Sequence, residues 1–523
     1  MVIDANVFYD LYERNTPESE DSKALLADWL QEEIQLLLTR EIHVEVSRAP
    51  TDAQRRRSAA LISRHEVLKT EDAKFQELVG SIQSCFPDAA CLRDDSDIRQ
   101  IAHTIAGGVA FFVTRDEKLI ERAEPLAANH GLRVLHPTAL INEIDSLRRE
   151  AEYRPVRLEG SRLTSNLVRD SQVGSVVDAL RRAPQERASE FEKLLRHFLA
   201  KPKECECLVT LAGDKKPVAL LTKSPRPPSC LEIPLFRLSD DSLAPTVGRH
   251  ILRSLIEVSS SRFPILNVTD QNLGESAKAA LLELGFVPSE QRWSKVTFSG
   301  VAGVASIKQT LQGLKLPEPT SRTLADALDA YQKNPGPLAA ADLDRVFWPA
   351  KLADGEIPSF VIPIRAQWAE HFFDSELASE RLFGVNEQLH LGIEGAYYCS
   401  SRNTLLQHPG RVLWYVSKGS EGRGSMTVKA CSRIEEVLLG TPKALFKKLS
   451  RLGVYQWNDV LKASGGELTQ PLLAFRFSMT ERFSKPLDLQ ILKSLGVPSP
   501  IMSPRRITAE QFENIYTLGK QLK

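Results

Sequence analysis

The sequence contains no apolar run long enough to cross a membrane. Its longest one, residues 105–113, is about half the length of a membrane-spanning helix. The chain does not start with a charged stretch followed by an apolar one, so we expect no secretory signal. Cysteine is rare, with seven in 523 residues, and an odd, scattered set excludes a disulfide framework. These absences favour a protein of the reducing cytoplasm that has no membrane partner.

Several classes of enzyme are excluded because their motifs are missing. The sequence has no Walker loop for nucleotide phosphates and no Gly-x-Ser-x-Gly turn for a serine hydrolase. The ten histidines show no metal-ligand spacing, and Cys205 and Cys207 lack the second pair that a zinc site requires.

The length and composition indicate several folded domains. A chain of 523 residues, 42% hydrophobic and 26% charged, is too long for one compact domain and has ordinary globular composition. The patterns divide it into residues 1–150, residues 151–300, a linker at 301–340 and residues 341–523. The net charge is −9 over residues 1–150, +4 over 151–300 and +5 over 301–523. This distribution lets basic segments hold a polyanion for an acidic one.

The first segment alternates short apolar strands with helices. Strands are expected at residues 1–3, 36–38, 109–114 and 133–135. Such alternation predicts a parallel sheet flanked by helices, whose ligands bind at the carboxyl ends of the strands. The later segments carry mixed strands and helices, so we predict a multidomain α/β protein.

Four acidic residues of the first segment fall where strands end or where the adjoining helices run: Asp4, Glu45, Asp97 and Asp116. A parallel sheet would bring these positions to one edge. Clustered carboxylates repel one another unless a cation neutralises them, and oxygen ligands suit Mg²⁺ or Mn²⁺. Such an ion lowers the pKa of bound water and stabilises charge on a phosphodiester under attack. The pattern therefore predicts a divalent-metal site.

Residues 1–140 resemble the PIN-domain family of metal-dependent ribonucleases. The matching pieces are residues 3–7, the helix of Glu45, residues 97–102 and residues 113–116, which agree with the family in order, spacing and element type. The resemblance implies a set of catalytic metal ligands with two polar neighbours. The implied ligands are Asp4, Glu45, Asp97 and Asp116, and the neighbours are Asn6 and Thr114.

The sequence leaves alternatives at two of these positions. Glu41 lies one turn before Glu45, so both side chains share a helix face. Asp94 and Asp95 are alternatives to Asp97 at the start of the next acidic helix.

The two remaining acids differ in how much structural use they have. Asp116 is open to a structural role, because an aspartate at this place can cap the helix that follows. Asp4 has little structural use at the end of an apolar strand, which makes a ligand role the simplest explanation for it.

Residues 155–300 follow the element order of GNAT acetyltransferases, and residues 272–286 resemble the late helix of that family. In GNAT enzymes a glycine-containing turn at a helix start offers backbone N–H groups to the pyrophosphate of acyl-CoA. The corresponding residues 245–250 keep Gly248 as the cofactor-binding position, but Pro245 removes a backbone donor. We therefore expect a GNAT-like α+β fold that does not bind acetyl-CoA tightly.

Residues 341–523 resemble the PUA-like group, which includes ASCH and EVE domains, small β-barrels often tied to RNA or modified bases. Six aromatic residues either fill a core or form a platform for stacking bases. They are Trp348, Trp368, Tyr397, Tyr398, Trp414 and Tyr415. Lys443, Lys447 and Arg451 recur every four residues and form a basic face, which is either solvated or tracks RNA phosphates.

These features predict a cytoplasmic endoribonuclease that depends on Mg²⁺ or Mn²⁺ and whose basic segments hold RNA. The PIN resemblance implies a toxin of a toxin–antitoxin system, with an antitoxin protein as partner, or a stress-response nuclease. Two other functions compete with this prediction. One is a GNAT-type acetyltransferase that uses acetyl-CoA, and the other is a non-catalytic RNA-binding regulator.

Overall fold

The chain forms two compact units in the computed structural model. Unit 1 contains Met1–Arg154, Leu167–Val177 and Arg187–Cys207, and unit 2 contains Pro155–Asn166, Asp178–Glu186 and Leu208–Lys523. The structure describes residues 1–12, 16–31, 33–85, 95–121, 123–149, 156–157, 163–226, 229–373, 394–400, 405–418, 425–450, 452, 455 and 457–521. No helix within these residues is apolar over enough of its length to span a bilayer.

Five short strands and the helices between them make up the first 149 residues. The strands are β1 (Val2–Ile3), β2 (Leu37–Leu38), β3 (Glu66–Val67), β4 (Phe111–Val113) and β5 (Arg133–Leu135). The helices are α1 (Ala5–Tyr12), α2 (Pro17–Lys23), α3 (Asp28–Gln31), α4 (Glu41–Ser47), α5 (Asp52–Ile62), α6 (Asp72–Cys85), α7 (Asp95–Ala106), α8 (Glu117–Glu121), α9 (Glu124–His130) and α10 (Pro137–Arg148).

The five strands form one parallel sheet in the order β3-β2-β1-β4-β5. Successive residues of a strand point to opposite faces, and here both faces are covered by apolar cores. Val2 and Phe112 belong to the core on one face, and Ile3 and Val113 to the core on the other. This parallel sheet flanked by helices confirms the fold class predicted for the first segment.

All strands of a parallel sheet end at the same edge, which we call the carboxyl rim of unit 1. The residues that directly follow four of the strands are Asp4 after β1, Thr39 after β2, Thr114 after β4 and His136 after β5. β1 lies between β2 and β4, so Asp4 is the middle residue of the rim.

The next part of the chain is mixed α and β. Its strands are β6 (Val156–Arg157), β7 (Thr164–Leu167), β8 (Glu206–Leu211), β9 (Pro217–Arg226), β10 (Cys230–Ile233), β11 (Phe236–Leu238), β12 (Ile265–Val268), β13 (Val287–Pro288) and β14 (Trp293–Val296). Its helices are α11 (Val173–Leu180), α12 (Ala188–Leu199), α13 (Ala244–Ser259) and α14 (Glu275–Glu283). The sheet runs β13-β14-β12-β10-β9-β8-β7-β6, with β11 paired to β9. Apolar residues of α13 and α14 pack against this sheet in one core.

Residues 301–352 contain three helices and a small two-stranded sheet with their own apolar core. The elements are β15 (Val301–Ala302), α15 (Val304–Gly313), α16 (Glu318–Lys333), α17 (Pro337–Val346) and β16 (Lys351–Leu352). This folded segment covers the residues 301–340 that are expected from the sequence to form a linker.

The last part of the chain is built on a six-stranded sheet in the order β18-β21-β20-β19-β17-β22. The strands are β17 (Ser359–Arg365), β18 (Glu394–Ser400), β19 (Gly410–Ser417), β20 (Thr427–Gly440), β21 (Leu472–Asp488) and β22 (Arg505–Ile507). The helices are α18 (Ala366–Phe372), α19 (Pro442–Leu449), α20 (Trp457–Ala463), α21 (Leu489–Ser494) and α22 (Ala509–Lys520). Two apolar cores cover the two faces, with Trp414 in one and Tyr415 in the other. The β-rich architecture confirms the multidomain α/β class.

Candidate metal centre

Asp4 joins the end of β1 to the start of α1 and is only 5% exposed. Its backbone N–H donates to the carbonyl of Val113, which continues the pairing of β1 with β4. Its carboxylate accepts two side-chain hydrogen bonds, from Thr114 Oγ1 to Oδ2 at 2.6 Å and from Gln100 Nε2 to Oδ1 at 3.2 Å. Burial raises the pKa of Asp4, and the nearby charge of Asp116 adds to the rise, while the hydrogen bonds oppose it. The carboxyl of Asp4 is therefore more easily protonated than that of an ordinary aspartate, and a cation bound beside it would favour its ionised form.

Thr114 connects Asp4 with the other polar residues of the rim. Its hydroxyl accepts from Asn6 Nδ2 at 3.0 Å and from the backbone N–H of Asp116 at 3.0 Å, while it donates to Asp4. A hydroxyl has one proton and two lone pairs, so all its hydrogen-bonding capacity is used. Asn6 Oδ1 also accepts from the backbone N–H of Arg115 at 3.2 Å. The predicted neighbours Asn6 and Thr114 thus order the turn that carries Asp116.

Asp116 has the capping role that the sequence left open. Its Oδ1 accepts from the backbone N–H groups of Lys118 at 3.0 Å and Leu119 at 3.2 Å, at the start of α8. Its charge also acts on Asp4. The cap fixes the carboxylate at the rim, so the structural role does not conflict with a ligand role.

The two candidate glutamates on α4 have different surroundings. Glu41 is 4% exposed and accepts from Ser96 Oγ at 3.2 Å and from Arg99 Nε at 3.0 Å, both on α7. Glu45, one turn later, is partly exposed and pairs at 3.3 Å with Arg48, the residue that follows the helix. Glu41 therefore lies inside, between α4 and α7, whereas Glu45 pairs locally.

The helix α7 supplies a side chain that the sequence analysis did not single out. Gln100, buried in α7, contacts Asp4 directly. Asp97 lies one turn earlier, so it falls on the same side of the helix, and it is partly buried. The alternative Asp94 lies outside the described residues, as does the side chain of Asp95. The three-residue spacing of Asp97 and Gln100 was the available signal for Gln100.

Thr39 is a second rim residue that the sequence analysis did not assign. It is buried, and its hydroxyl has no hydrogen-bond partner within the described part of the chain. Because Thr39 follows β2, which pairs with β1, it lies at the same end of the sheet as Asp4. A buried polar atom without a partner is costly, and a bound water or hydrated ion at the rim would satisfy it.

The donor set of the rim fits a hard cation. The groups brought together are carboxylate, hydroxyl and amide oxygens, with Asp4 and Asp116 as the charged pair. Among residues for which the structure gives positions, no three His, Cys, Asp or Glu side chains are grouped closely enough to hold a metal ion. Mg²⁺ in proteins is often bound by one or two carboxylates and completes its shell with water. The rim fits that mode of binding.

The predicted cofactor residue Gly248 lies within α13, where it packs closely against β11. A Cβ at this position would come within 2.5 Å of Leu238 Cδ1. At the start of the same helix, the side chain of Asp241 accepts from the backbone N–H of Leu243 at 2.8 Å. The glycine thus has a packing role, and Asp241 accepts the hydrogen bond of one backbone N–H just before the helix begins.

The predicted basic face is carried by α19. Lys443 and Lys447 are exposed, while the buried residues of this helix are Pro442, Leu445 and Leu449. Lys448 on the same helix pairs with Glu436 of β20 at 2.7 Å. The third predicted residue, Arg451, lies outside the described residues.

The predicted aromatic residues divide between core and cavity. Trp348, Trp414 and Tyr415 are buried in cores. The other three line a cavity of about 570 Å³ in unit 2, together with residues not anticipated from the sequence. The main lining residues are Trp368, Tyr397, Tyr398, Tyr455, Arg365 and Lys462.

Comparison with known proteins gives a family for the N-terminal region. Residues 1–118 match the family model described as the PIN domain. A search of curated proteins found no match. The PIN-domain match confirms the resemblance predicted for this region. It supports a nuclease, which is a kind of hydrolase. PIN domains generally use divalent metal ions.

Solved structures similar to parts of the chain include three kinds of protein. ASCH from Zymomonas mobilis is 16% identical over 31% of this chain and 94% of its own, with a TM-score of 0.24. A ribosomal-protein-S5-alanine acetyltransferase from Vibrio fischeri is 12% identical over 28% of this chain and 97% of its own, with a TM-score of 0.22. VapBC2 from Rickettsia felis, bound to a DNA fragment from its promoter, is 15% identical over 26% of this chain and 96% of its own, with a TM-score of 0.20.

Proposed function

We propose, from the PIN domain matched by residues 1–118, that the protein is an endoribonuclease that depends on Mg²⁺ or Mn²⁺. The observation that carries the proposal is the position of Asp4. A buried carboxylate ends the central strand of a parallel sheet, is held by Thr114 and Gln100, and faces the charge of Asp116. This arrangement stores negative charge that a divalent cation would neutralise.

Asp4 and Asp116 are the ligands that the contacts favour, with Asp97 approaching from α7. Both glutamates are already paired with arginines, Glu41 with Arg99 and Glu45 with Arg48. Of the two, Glu41 is the one buried against α7, so its surroundings favour it over Glu45 for a place beside the rim.

The side chains of the rim would orient the reacting groups. A bound Mg²⁺ or Mn²⁺ would supply a water of lowered pKa and stabilise charge on the phosphodiester. Thr114 fixes one oxygen of Asp4 and Gln100 fixes the other, so the carboxylate keeps one orientation. Asn6 holds the turn of Asp116 through the N–H of Arg115. Preorganised groups of this kind lower the cost of reaching the transition state.

RNA capture would fall to the basic segments of the chain. Residues 1–150 have a net charge of −9, so this region repels a polyanion away from the rim. Lys443 and Lys447 on α19, with Arg451 beyond it, supply the concentrated positive charge. We also propose that the chain is the toxin of a toxin–antitoxin pair, whose antitoxin protein would cover the rim.

The test is cleavage of labelled single-stranded RNA by the full chain. We expect cleavage in Mg²⁺ or Mn²⁺ and none in EDTA. Asp4→Asn should slow cleavage by about 10³-fold, because losing a charged ligand costs several kcal/mol in the transition state. The matched control is Asp52→Asn, at an exposed carboxylate that starts α5, which should cut at the parent rate. Cleavage by Asp4→Asn at the parent rate, or cleavage in EDTA, would overturn the proposal.

A further inference from the structure

Arg99 and Gln100 are consecutive residues of α7 that bind two different acids of unit 1. Gln100 donates to Asp4, and Arg99 donates through Nε to Glu41 at 3.0 Å. Asp4 follows β1, and Glu41 begins the helix after the neighbouring strand β2. Adjacent strands lie about 4.8 Å apart, so Arg99 is anchored beside the rim.

The anchor neutralises Glu41 within the fold. Glu41 is 4% exposed, and its two oxygens are taken by Arg99 and Ser96. The positive charge of Arg99 already neutralises this carboxylate, so Glu41 adds little net negative charge for a second divalent ion. Two-metal sites need several carboxylates around two ions, and the part of the chain that the structure describes places no three such groups together.

The rest of the Arg99 side chain is open. It is 49% exposed, and within the described residues no hydrogen bond is formed by its two terminal nitrogens. A guanidinium held through Nε presents those nitrogens as a fork, which matches two oxygens of a phosphate. Glu41 sets the orientation of this fork beside the acids that would hold a metal ion.

We propose that Arg99 binds the phosphate of the RNA at the site of cleavage, so that the centre works with one divalent ion and the charge of one arginine. This inference rests on the proposed ribonuclease function. Arg99 would then touch the substrate and stabilise the charge that develops on the non-bridging phosphate oxygens. Glu41 would act as its positioning residue rather than as a metal ligand.

The first measurement is RNA binding by the full chain in EDTA, at a series of salt concentrations. Arg99→Gln should weaken binding and reduce the slope of log affinity against log salt by about 0.7, the value for one lost contact on a single strand. Arg133→Gln is the matched control, because Arg133 is 47% exposed and paired with Glu143, but starts β5 and so lies at the opposite edge of the sheet. It should leave the slope unchanged.

The second measurement separates charge from geometry. In Mn²⁺, Arg99→Gln should lower the cleavage rate by on the order of 100-fold or more. Arg99→Lys should recover the binding slope but not the rate, because an ammonium lacks the fork. Arg99→Gln leaves the buried Glu41 carboxylate without its arginine partner, which could destabilise the fold. The double variant Arg99→Gln, Glu41→Gln removes that carboxylate charge as well, so it tests the loss of the guanidinium without an unpaired buried acid.

The third measurement counts Mn²⁺ ions in the parent chain and in Asp4→Asn by calorimetry. We expect the difference to be one ion per chain, and a difference of two would overturn the inference. So would an Arg99→Gln variant, or its double variant, that keeps the parent salt slope and rate. If the parent chain binds no Mn²⁺ and cuts no RNA, the proposed function itself has failed, and this inference fails with it.

Discussion

Thr114 donates its hydroxyl proton to Asp4, while it accepts one hydrogen bond from Asn6 Nδ2 and one from the backbone N–H of Asp116. One hydroxyl therefore fixes the position of both acids. Asp4 and Thr114 are 110 positions apart in the sequence. They meet because β1 and β4 are neighbouring parallel strands.

The Thr114 hydroxyl can be tested with an isosteric change. Thr114→Val should lower the midpoint of thermal unfolding, because Asp4 Oδ2, Asn6 Nδ2 and the N–H of Asp116 each lose the hydroxyl as a partner, at about 1–3 kcal/mol for a buried group left unsatisfied. Thr114→Ser keeps the hydroxyl and should lose much less. Equal midpoints for the two variants would show that the hydrogen bonds contribute nothing measurable.

Metal affinity should depend on pH in a way set by Asp4. Burial raises the pKa of Asp4 above its ordinary 3.8, and only the ionised carboxylate binds a cation. Mn²⁺ affinity should therefore decrease on acidification at a pH above the range of an ordinary aspartate. Calorimetric titration of the full chain with Mn²⁺ at several pH values would show this. An affinity that persists until the ordinary range of aspartate would contradict it.

The same pKa rise predicts how the metal-free protein responds to pH. A carboxyl whose folded-state pKa is raised contributes stability below its unfolded pKa, and that contribution is lost as pH rises through the folded-state value. Asp4 thus destabilises the metal-free fold at neutral pH. Mn²⁺ should raise the unfolding temperature of the parent chain at neutral pH and leave that of Asp4→Asn nearly unchanged. The same increase in both proteins would place the bound ion elsewhere.

The close packing of Gly248 against Leu238 can be tested by adding a methyl group. Gly248→Ala should destabilise unit 2 by about 1–3 kcal/mol, because the added methyl group overlaps Leu238 and overpacked cores are strained. Leu238→Ala should cost less in the Gly248→Ala background than in the parent chain, because it removes the overlap while it opens the core. The acetyltransferase alternative is tested separately, on the parent chain. Calorimetry with acetyl-CoA should show no binding at micromolar concentrations. Tight, stoichiometric binding would instead favour a working acetyltransferase site.

The basic face of α19 can be tested by reversing its charges. The triple change Lys443→Glu, Lys447→Glu and Arg451→Glu should raise the RNA dissociation constant and reduce its salt slope by roughly 0.7 per lost contact. Cleavage at saturating RNA should change little. The matched control is Lys448→Gln, whose charge is already paired with Glu436. Identical affinities and slopes for parent and triple variant would mean that α19 is only a solvated face.

The sequence was sufficient for the order of elements around the rim and for placing Asp4, Asn6, Thr114 and Asp116 together there, while their roles as metal ligands and neighbours stay predictions. Asp4 and Thr114 directly follow strands, and Asn6 and Asp116 each come two residues later, so all four are found from apolar strands that end in a polar residue. The choice between Glu41 and Glu45 was not accessible, because residues four apart share a helix face. Their surroundings differ through the packing of α4 against α7, which brings together residues 58 positions apart.

Side-chain pairs across elements account for the other gaps. In the sequence, nothing distinguishes Arg99 from other surface cations. Its ion pair through Nε with the buried Glu41 is visible only in the folded structure. The cavity residues Arg365 and Tyr455 are 90 positions apart and meet only in the folded sheet. Gly248 fitted a family turn in the sequence, and its contact with Leu238 became evident only from the packing of α13 on β11.

The central place of β1 in its sheet also has a consequence for how the chain is made. A ribosome adds about 5–20 residues per second, and β1 is synthesised long before β4. A nascent chain shorter than 114 residues lacks both Thr114 and Asp116, so nothing holds Asp4 on that side of the sheet. For the ribonuclease proposed above, activity is therefore delayed until this whole segment has left the ribosome that is reading its message.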